Sequence, residues 1–309
     1  MDTEKKLITV VCPVHNEEKV VPLFFDRISP VISELSGQYR VNLLFINNAS
    51  TDSSYQAISH LRERHSFVYV ITLSKNYGYQ CSLECGLRNA EGDIIVFIDV
   101  DCEDPPEMIL EFVRLYEQGN DIVYGERVDR EEIHVIKWMR KLFYHIVHRV
   151  ADEDIVLYMA EFSLMTSEVR DAVIESHDSF PFIRSSISRV GFKRAGIPYK
   201  RHRRIAGETH YNLINMTLFA IAGILSSTTL PLRLPIYIFP FWLILTALLG
   251  TAQIMTGSSW FLLINILSVC AYIGGTAAFT ALYVARTYKN GLGHPNYVIH
   301  KRYTHPQTE

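Results

Sequence analysis

Residues 97–107 read FIDVDCEDPPE, where an apolar run, Ile94–Ile98, leads into Asp99, Asp101, Glu103, Asp104 and Glu107. Carboxylates this crowded repel one another and cost folding energy unless positive charge sits among them. The local pattern separates two groups. Asp104-Pro-Pro-Glu107 has the form of a helix start, with Asp104 as N-cap, proline in the first turn and Glu107 in the capping-box position. Asp99 and Asp101 precede that cap and point from the end of a strand. Carboxylates two apart on an extended segment can converge on one hard divalent cation, with the phosphates of a ligand supplying the remaining oxygens. The loop is therefore expected to hold a cation and the diphosphate it carries.

Such a loop needs a rigid platform. Leu7–Val11, Asn42–Ile46, Val68–Leu73 and Asp93–Ile98 read as strands, separated by helical patterns over 18–35, 53–64 and 80–90. Strands that are apolar almost throughout, alternating with helices, predict an α/β fold: a mostly parallel sheet with helices on both faces. In such sheets ligands bind outside the carboxyl ends of the strands. CPVHNEE, NNASTD and DVDCED each follow a strand at that end, so three loops are expected to share one crevice.

The net charge of −3 over 309 residues gives no global reason to expect nucleic acid, but the charges are unevenly spread. No charged residue lies between Arg233 and Arg286, whereas Arg184–Arg204 carries eight Lys/Arg and no acid. Leu234–Met255 and Trp260–Tyr283 are uncharged and, at about 1.5 Å per residue, each is long enough to cross a hydrocarbon core of about 30 Å. Thr256–Ser259 forms the turn between them, and Trp242 and Trp260 read as interface anchors. Positive residues flank the pair on one side only, which predicts a hairpin with both ends in the cytoplasm. The expected organisation is a cytoplasmic catalytic domain at 1–211, a juxtamembrane segment at 212–233 with an interfacial helix over 212–225, two transmembrane helices within 234–285, and a cytoplasmic tail at 286–309. The five cysteines lack metal-ligand spacing and are expected to be reduced, mostly buried thiols. His134, His145 and His148 fall on an amphipathic pattern and are read as packing or surface residues.

The ordered set CPVHNEE, NNASTD, LSKNYG, GDIIVFIDVDCEDPPE and YGER resembles the family-2 glycosyltransferases of the GT-A fold. Within them the chain looks most like the polyprenyl-phosphate glycosyltransferases, the group of dolichyl-phosphate mannose synthases and bactoprenol glucosyltransferases. The resemblance continues through AEFSLM at 160–165, RIAGETHY at 204–211 and SSTTLPLRL at 226–234 into the two spans. It implies Pro13, His15, Glu17 and Asn48 around the base and ribose of a nucleotide diphosphate-sugar, and Asp99 near its ribose and diphosphate. It further implies Mg2+ or Mn2+ on Asp99, Asp101 and Glu103, Arg127 and Arg204 facing phosphates, and Glu161 near the acceptor. The family usually has Tyr at His15, two acids at Asn47-Asn48, Gln at Glu103 and GDFR at Ala160–Ser163. An amide at 48 in place of an acid would alter the hydrogen bonding to the base that the resemblance implies.

The activity so implied is inverting, metal-dependent transfer of a sugar to a membrane polyprenyl phosphate. The basic run 184–204 would then meet the acceptor phosphate and anionic headgroups, each cation contributing about 1 kcal/mol. Two other classes stay open: transfer to a diacylglycerol or another hydroxyl, and a non-catalytic nucleotide-sugar sensor. The expected partners are the donor, the lipid acceptor and the bilayer, with a homo-oligomer left open and no nucleic acid.

Overall fold

The computed structural model describes residues 5–127, 159–175, 181–205 and 228–307. The interfacial helix expected at 212–225 and the three histidines of 134–148 lie outside the described residues. Strand and helix alternate as expected through β1 (Leu7–Val14), α1 (Val20–Leu35), β2 (Arg40–Asn47), α2 (Ser54–Arg64), β3 (Val68–Thr72), α3 (Tyr79–Asn89) and β4 (Ile94–Phe97). There follow α4 (Met108–Glu117), β5 (Ile122–Arg127), β6 (Met159–Thr166), α5 (Ser167–Ile174), α6 (Ile183–Arg189) and β7 (Arg194–Tyr199).

The seven strands form one sheet in the order β3-β2-β1-β4-β6-β5-β7. Every pairing is parallel except those of β6, which runs antiparallel to both β4 and β5. Successive strand residues face opposite sides of a sheet, so the unbroken apolar strands feed two cores. Val10 and Phe45 pack in one layer with Phe24 of α1 and Phe112 of α4. Val11, Ile46 and Phe97 pack in the other with Leu83 and Leu87 of α3. At Gly86 a Cβ would lie 2.3 Å from Val11 Cγ1, so α3 reaches the sheet this closely only because that position has no side chain. The chain turns from β1 outward to β2 and β3, then crosses back to β4, so the strand order reverses between β1 and β4. That reversal opens a crevice at their carboxyl ends.

Two long apolar helices follow, α7 (Leu230–Thr256) and α8 (Ser259–Leu292), joined by Gly257 and Ser258 alone. Each has a mean hydropathy of 1.8 over its most apolar stretch, and neither holds a fully buried residue. Both outrun the uncharged spans read from the sequence: α7 begins at Leu230, and α8 continues through Arg286 and Lys289. Gly257 in the left-handed conformation stops α7, which shortens the turn to two residues. Trp242 lies near the middle of the long helix α7, not at its end. Its ring stacks on Tyr272 at 4.5 Å, and Tyr272 donates its hydroxyl to Pro235 O at 3.0 Å, pinning the helices together.

After α8 the chain returns to the sheet. Leu73 bridges Ile299 and Val70 bridges His305 antiparallel, so residues 298–305 cover the outer edge of β3. An edge strand offers a row of unpaired backbone groups. Here that row is filled by Val70 N to His305 O (3.0 Å), His300 N to Thr72 O (2.7 Å) and Ser74 N to Val298 O (2.8 Å).

Candidate active site

Three loops leave the carboxyl ends of β1, β2 and β4. Among the described residues, the non-glycine positions with positive φ are Asn16 (56°), Ala49 (49°) and Cys102 (56°), one in each loop. Backbone strain of this kind concentrates where surrounding structure over-determines the chain, often at functional sites. Asn16 ties the first two loops together, its Oδ1 accepting from Thr51 N at 2.8 Å and its N–H donating to Ser50 Oγ at 3.0 Å.

The acidic loop is balanced from three sides. Asp104 is 1% exposed and receives Arg127 Nη2 at 3.1 Å and the Tyr199 hydroxyl, while Arg127 Nε donates to Tyr199 at 3.1 Å. Asp104 is therefore not a helix cap. α4 begins three residues later than the sequence pattern suggested, at Met108, with Glu107 as an N-cap whose side chain makes no capping bond. A half-buried cation and a buried phenol, brought in by β5 and β7, claim the Asp104 carboxylate more strongly than exposed amides would. Glu107 instead grips Arg27 through two bonds of 2.9 and 3.0 Å. Glu103 pairs with Arg201 at 2.5 Å. Asp101 folds its Oδ1 back onto Glu103 N–H at 3.0 Å.

Asp99 carries the uncompensated charge. The Tyr79 hydroxyl donates to its Oδ1 at 2.8 Å. Burial, and then the charges of Asp101 and Asp104, push its carboxyl well above the usual carboxylate range, against the pull of Tyr79 and Arg127. Burial and the charges of Asp99 and Glu161 likewise push the Tyr79 phenol up, so it stays a donor. Glu161 enters through strand register. β6 pairs Ser163 with Phe97, and continuing that antiparallel register sets Glu161 against Asp99. Its Oε1 accepts from Gln80 Nε2 at 3.2 Å, and Gln80 Oε1 accepts from Ile183 N at 3.0 Å.

The other flank is neutral. His15 Nδ1 lies 2.9 Å from Asn48 O, and a carbonyl can only accept, so Nδ1 carries the proton and Nε2 accepts from Asn76 Nδ2 at 3.0 Å. Asn48, 4% exposed, donates to Asn76 Oδ1 at 2.9 Å and accepts from Tyr77 N at 2.9 Å. Asn47 accepts from Ser50 N at 3.1 Å. Pro13 is buried within β1, in register with Ile46.

The segment 201–205 runs across the acidic loop, with His202 N on Glu103 O (2.8 Å) and Ile205 N on Asp101 O (3.1 Å). Arg204 pairs with Glu17. Four members of the basic run, Arg184, Arg194, Arg201 and Arg204, thus bond inside the protein, the first two to Met159 O and Ser188 O.

The crevice brings together His15, Glu17, Asn48, Asp99, Asp101, Glu103, Glu161 and Arg204. Arg127, expected to face phosphate, is turned to Asp104 and Tyr199 instead. Among the described residues, no group of three His, Cys, Asp or Glu stands arranged to hold a metal. Asp99 and Asp101 nevertheless suit a hard cation: both are oxygen donors, and the raised Asp99 carboxyl marks excess negative charge that a divalent ion would relieve. Glu103 is already paired. Tyr79, Gln80 and Asn76 were not singled out from the sequence, although they follow or lie within the LSKNYG motif after β3. All five cysteines are free, three of them buried, as expected.

The chain thus joins a GT-A-like, mostly parallel sheet, with acids at its topological switch, to two apolar helices. Residues 9–191 match the model of glycosyl transferase family 2, and the chain belongs to that family. It is a glycosyltransferase. It is 33% identical to the uncharacterized glycosyltransferase YkcC of Bacillus subtilis (strain 168), over 96% of this chain and 94% of that protein. It is 30% identical to the prophage bactoprenol glucosyl transferase homolog of Escherichia coli (strain K12), over 94% of this chain and 98% of that protein. Among solved structures it is similar to the mannosyltransferase PcManGT from Pyrobaculum calidifontis in complex with GDP-Man and Mn2+, at 16% identity and a TM-score of 0.46, covering 93% of this chain and 88% of that one.

Proposed function

We propose that this glycosyltransferase transfers a sugar from a nucleotide diphosphate-sugar to the phosphate of a membrane polyprenyl phosphate, with inversion at the anomeric carbon. One observation carries the reading. The similarity to the bactoprenol glucosyl transferase homolog leaves out 6% of the chain, about 19 residues, which is shorter than α7 or α8. Crevice and apolar hairpin therefore belong to one shared design.

In this reading His15, Glu17 and Asn48 flank the nucleoside, and Asp99 and Asp101 would hold Mg2+ or Mn2+. When bound, the ion neutralises the departing diphosphate. Arg204 adds positive charge beside it, where charge develops in the transition state. The acceptor phosphate, with a second pKa near 6, is already largely anionic at neutral pH and attacks the anomeric carbon directly. The bond from that carbon to the donor diphosphate breaks as the new one forms, so an α-linked donor gives a β-linked product. Residues 1–211 would be cytoplasmic and 234–285 would cross the bilayer. An impermeant thiol reagent should then reach a Ser258→Cys probe, in a background lacking the native cysteines, from the non-cytoplasmic face only.

The deciding experiment is a donor screen on purified full-length protein with a short polyprenyl phosphate. Turnover should vanish in excess EDTA, and Asp101→Asn should lower it about 10²–10³-fold while leaving the protein folded. A hydroxyl acceptor is the competing reading, favoured by the placement of Glu161, which Gln80 holds and whose charge, like that of Asp99, acts on the Tyr79 phenol. An alcohol must lose its proton during attack, so Glu161→Gln would then be inactive at every pH. Transfer to diacylglycerol and none to polyprenyl phosphate would overturn the proposal.

A further inference from the structure

We infer that residues 296–307, the strap that follows the apolar hairpin, position the nucleotide subsite by holding Thr72 and the 73–78 loop; the role in donor binding rests on the function proposed above. Almost every polar group of Thr72 is spent on the strap. Its N–H donates to Thr304 Oγ1 (3.0 Å), its carbonyl accepts from His300 N (2.7 Å), and its hydroxyl donates to Tyr303 O (2.7 Å). The same hydroxyl accepts from Asn47 Nδ2 at 3.4 Å. The direction of this relay depends on an amide at 47, because a carboxylate there would compete with Tyr303 O for the one hydroxyl proton.

Two residues beyond Thr72, Ser74 N–H is held by Val298 O. Asn76 and Tyr77 follow and close on His15 and Asn48, while Gly78 N–H donates back to Asn76 Oδ1. The strap also grips α3. Asn296 Nδ2 donates to the buried Glu84 at 2.7 Å, and Asn89 donates to Tyr297 Oη at 3.2 Å. α3 begins with Tyr79 and Gln80, which bond Asp99 and Glu161. A segment serving only to blunt a sheet edge would have no reason to engage Thr72 and α3 in this way. Because the strap starts a few residues after α8, it links the seat of the hairpin to the order of the subsite.

The test uses the full-length protein in nanodiscs, comparing wild type with Thr72→Val, Thr72→Ser and Thr304→Val. Thr72→Val keeps the shape of the side chain and removes its hydroxyl; Thr304→Val removes the acceptor of Thr72 N–H without touching the sheet. Hydrogen exchange at 73–78 should rise in both valine variants with no ligand present. UDP and GDP serve as probes. Whichever binds wild type should bind the valine variants about 3–10-fold more weakly, with donor KM rising in step and kcat within about twofold. Thr72→Ser should restore both readouts, which a general loss of packing would not do. Unchanged exchange at 73–78, with nucleotide binding intact, overturns the strap's role. Raised exchange with unaltered affinity and KM also overturns it, since order in the loop would then not serve the donor. Failure of wild type to bind either nucleotide overturns the subsite reading itself, an outcome the exchange measurement separates from the first.

Discussion

On one flank of the crevice Asp99, Asp101, Glu103 and Asp104 crowd together under Arg127, Arg201 and Arg204, while on the other His15, Asn48 and Asn76 close a ring of neutral hydrogen bonds. The acidic flank is left with surplus charge at Asp99, so it is completed only by a cation or a protonated carboxyl. The neutral flank is already satisfied and contributes shape. Opposite chemistry on the two sides divides the labour: charge where a diphosphate would lie, fixed polar geometry where a nucleoside would lie. Perturbing each flank should therefore fail in a different currency.

The largest effect is expected from Arg127→Ala. It strips the nearest cation from Asp104, whose carboxylate is 1% exposed, and leaves a buried charge with the Tyr199 hydroxyl and the more distant Arg201, 3.9 Å away. Breaking a buried pair from one side costs about 3–5 kcal/mol, so the variant should unfold at markedly lower denaturant. Adding Asp104→Asn should recover part of that loss. An Arg127→Ala protein of native stability that fails only in turnover would return Arg127 to the phosphates and contradict the division drawn here.

On the neutral flank Asn48→Asp replaces a donor facing Asn76 Oδ1 with an acceptor. Turning the Asn76 amide would repair that contact but forfeit the bond from Gly78 N–H, at 2.8 Å. The cost should be about 1–3 kcal/mol at neutral pH. It should shrink in acid, where the introduced carboxyl regains a proton to donate. Equal stability at every pH would mean that the ring does not depend on amide directionality.

The acidic flank should show its own pH dependence. The Asp99 pKa is raised in the folded protein, so the folded state holds a proton that the unfolded chain gives up more readily. Its contribution to stability is complete below the ordinary carboxylate range and is lost as pH rises toward neutrality. The melting temperature of the metal-free protein should fall across that window. Asp99→Asn should flatten the trend, and Mn2+ should raise the melting temperature of wild type more than that of Asp99→Asn. A wild-type profile that climbs through the window and is unchanged by the substitution would sink this account of Asp99.

Much of this arrangement could be read from short stretches of chain. Parallel strands put CPVHNEE, NNASTD and DVDCED at one end of the sheet, and the charge-free 234–285 stretch announced two apolar helices. The misreadings involve partners far away in sequence. Asp104 looked like a cap because DPPE is locally a capping pattern, while the Tyr199 that claims it lies 95 residues on. Arg127 was assigned to phosphate through family resemblance, while the Asp104 it pairs with lies 23 residues back. The strap meets β3 across 232 residues, and its two or three apolar positions are too few to announce a strand. Glu161 was recognised through family resemblance, but its approach to the acidic loop comes from the pairing of β6 with β4, which no single segment encodes.

The smallest effect concerns backbone strain and divides three residues with similar φ. A non-glycine residue in the left-handed region costs roughly 1–2 kcal/mol, which glycine relieves at the expense of a more flexible unfolded chain. Ala49, at φ 49°, has a side chain that offers no polar contact in return, so Ala49→Gly should stabilise by about 0.5 kcal/mol, a rise of about 1–2 °C in melting temperature. Asn16, at φ 56°, differs because its Oδ1 holds Thr51 N–H and the Thr51 hydroxyl. Asn16→Gly should give up those bonds and come out destabilised by about 1 kcal/mol. Cys102, also at φ 56°, buries its side chain on the acidic flank, so Cys102→Gly should lose packing and destabilise as well. Thermal melts of the three variants decide the matter. Should Ala49→Gly melt below wild type, the alanine methyl contributes more than its strain costs, and the neutral flank is packed more tightly than its hydrogen bonds imply.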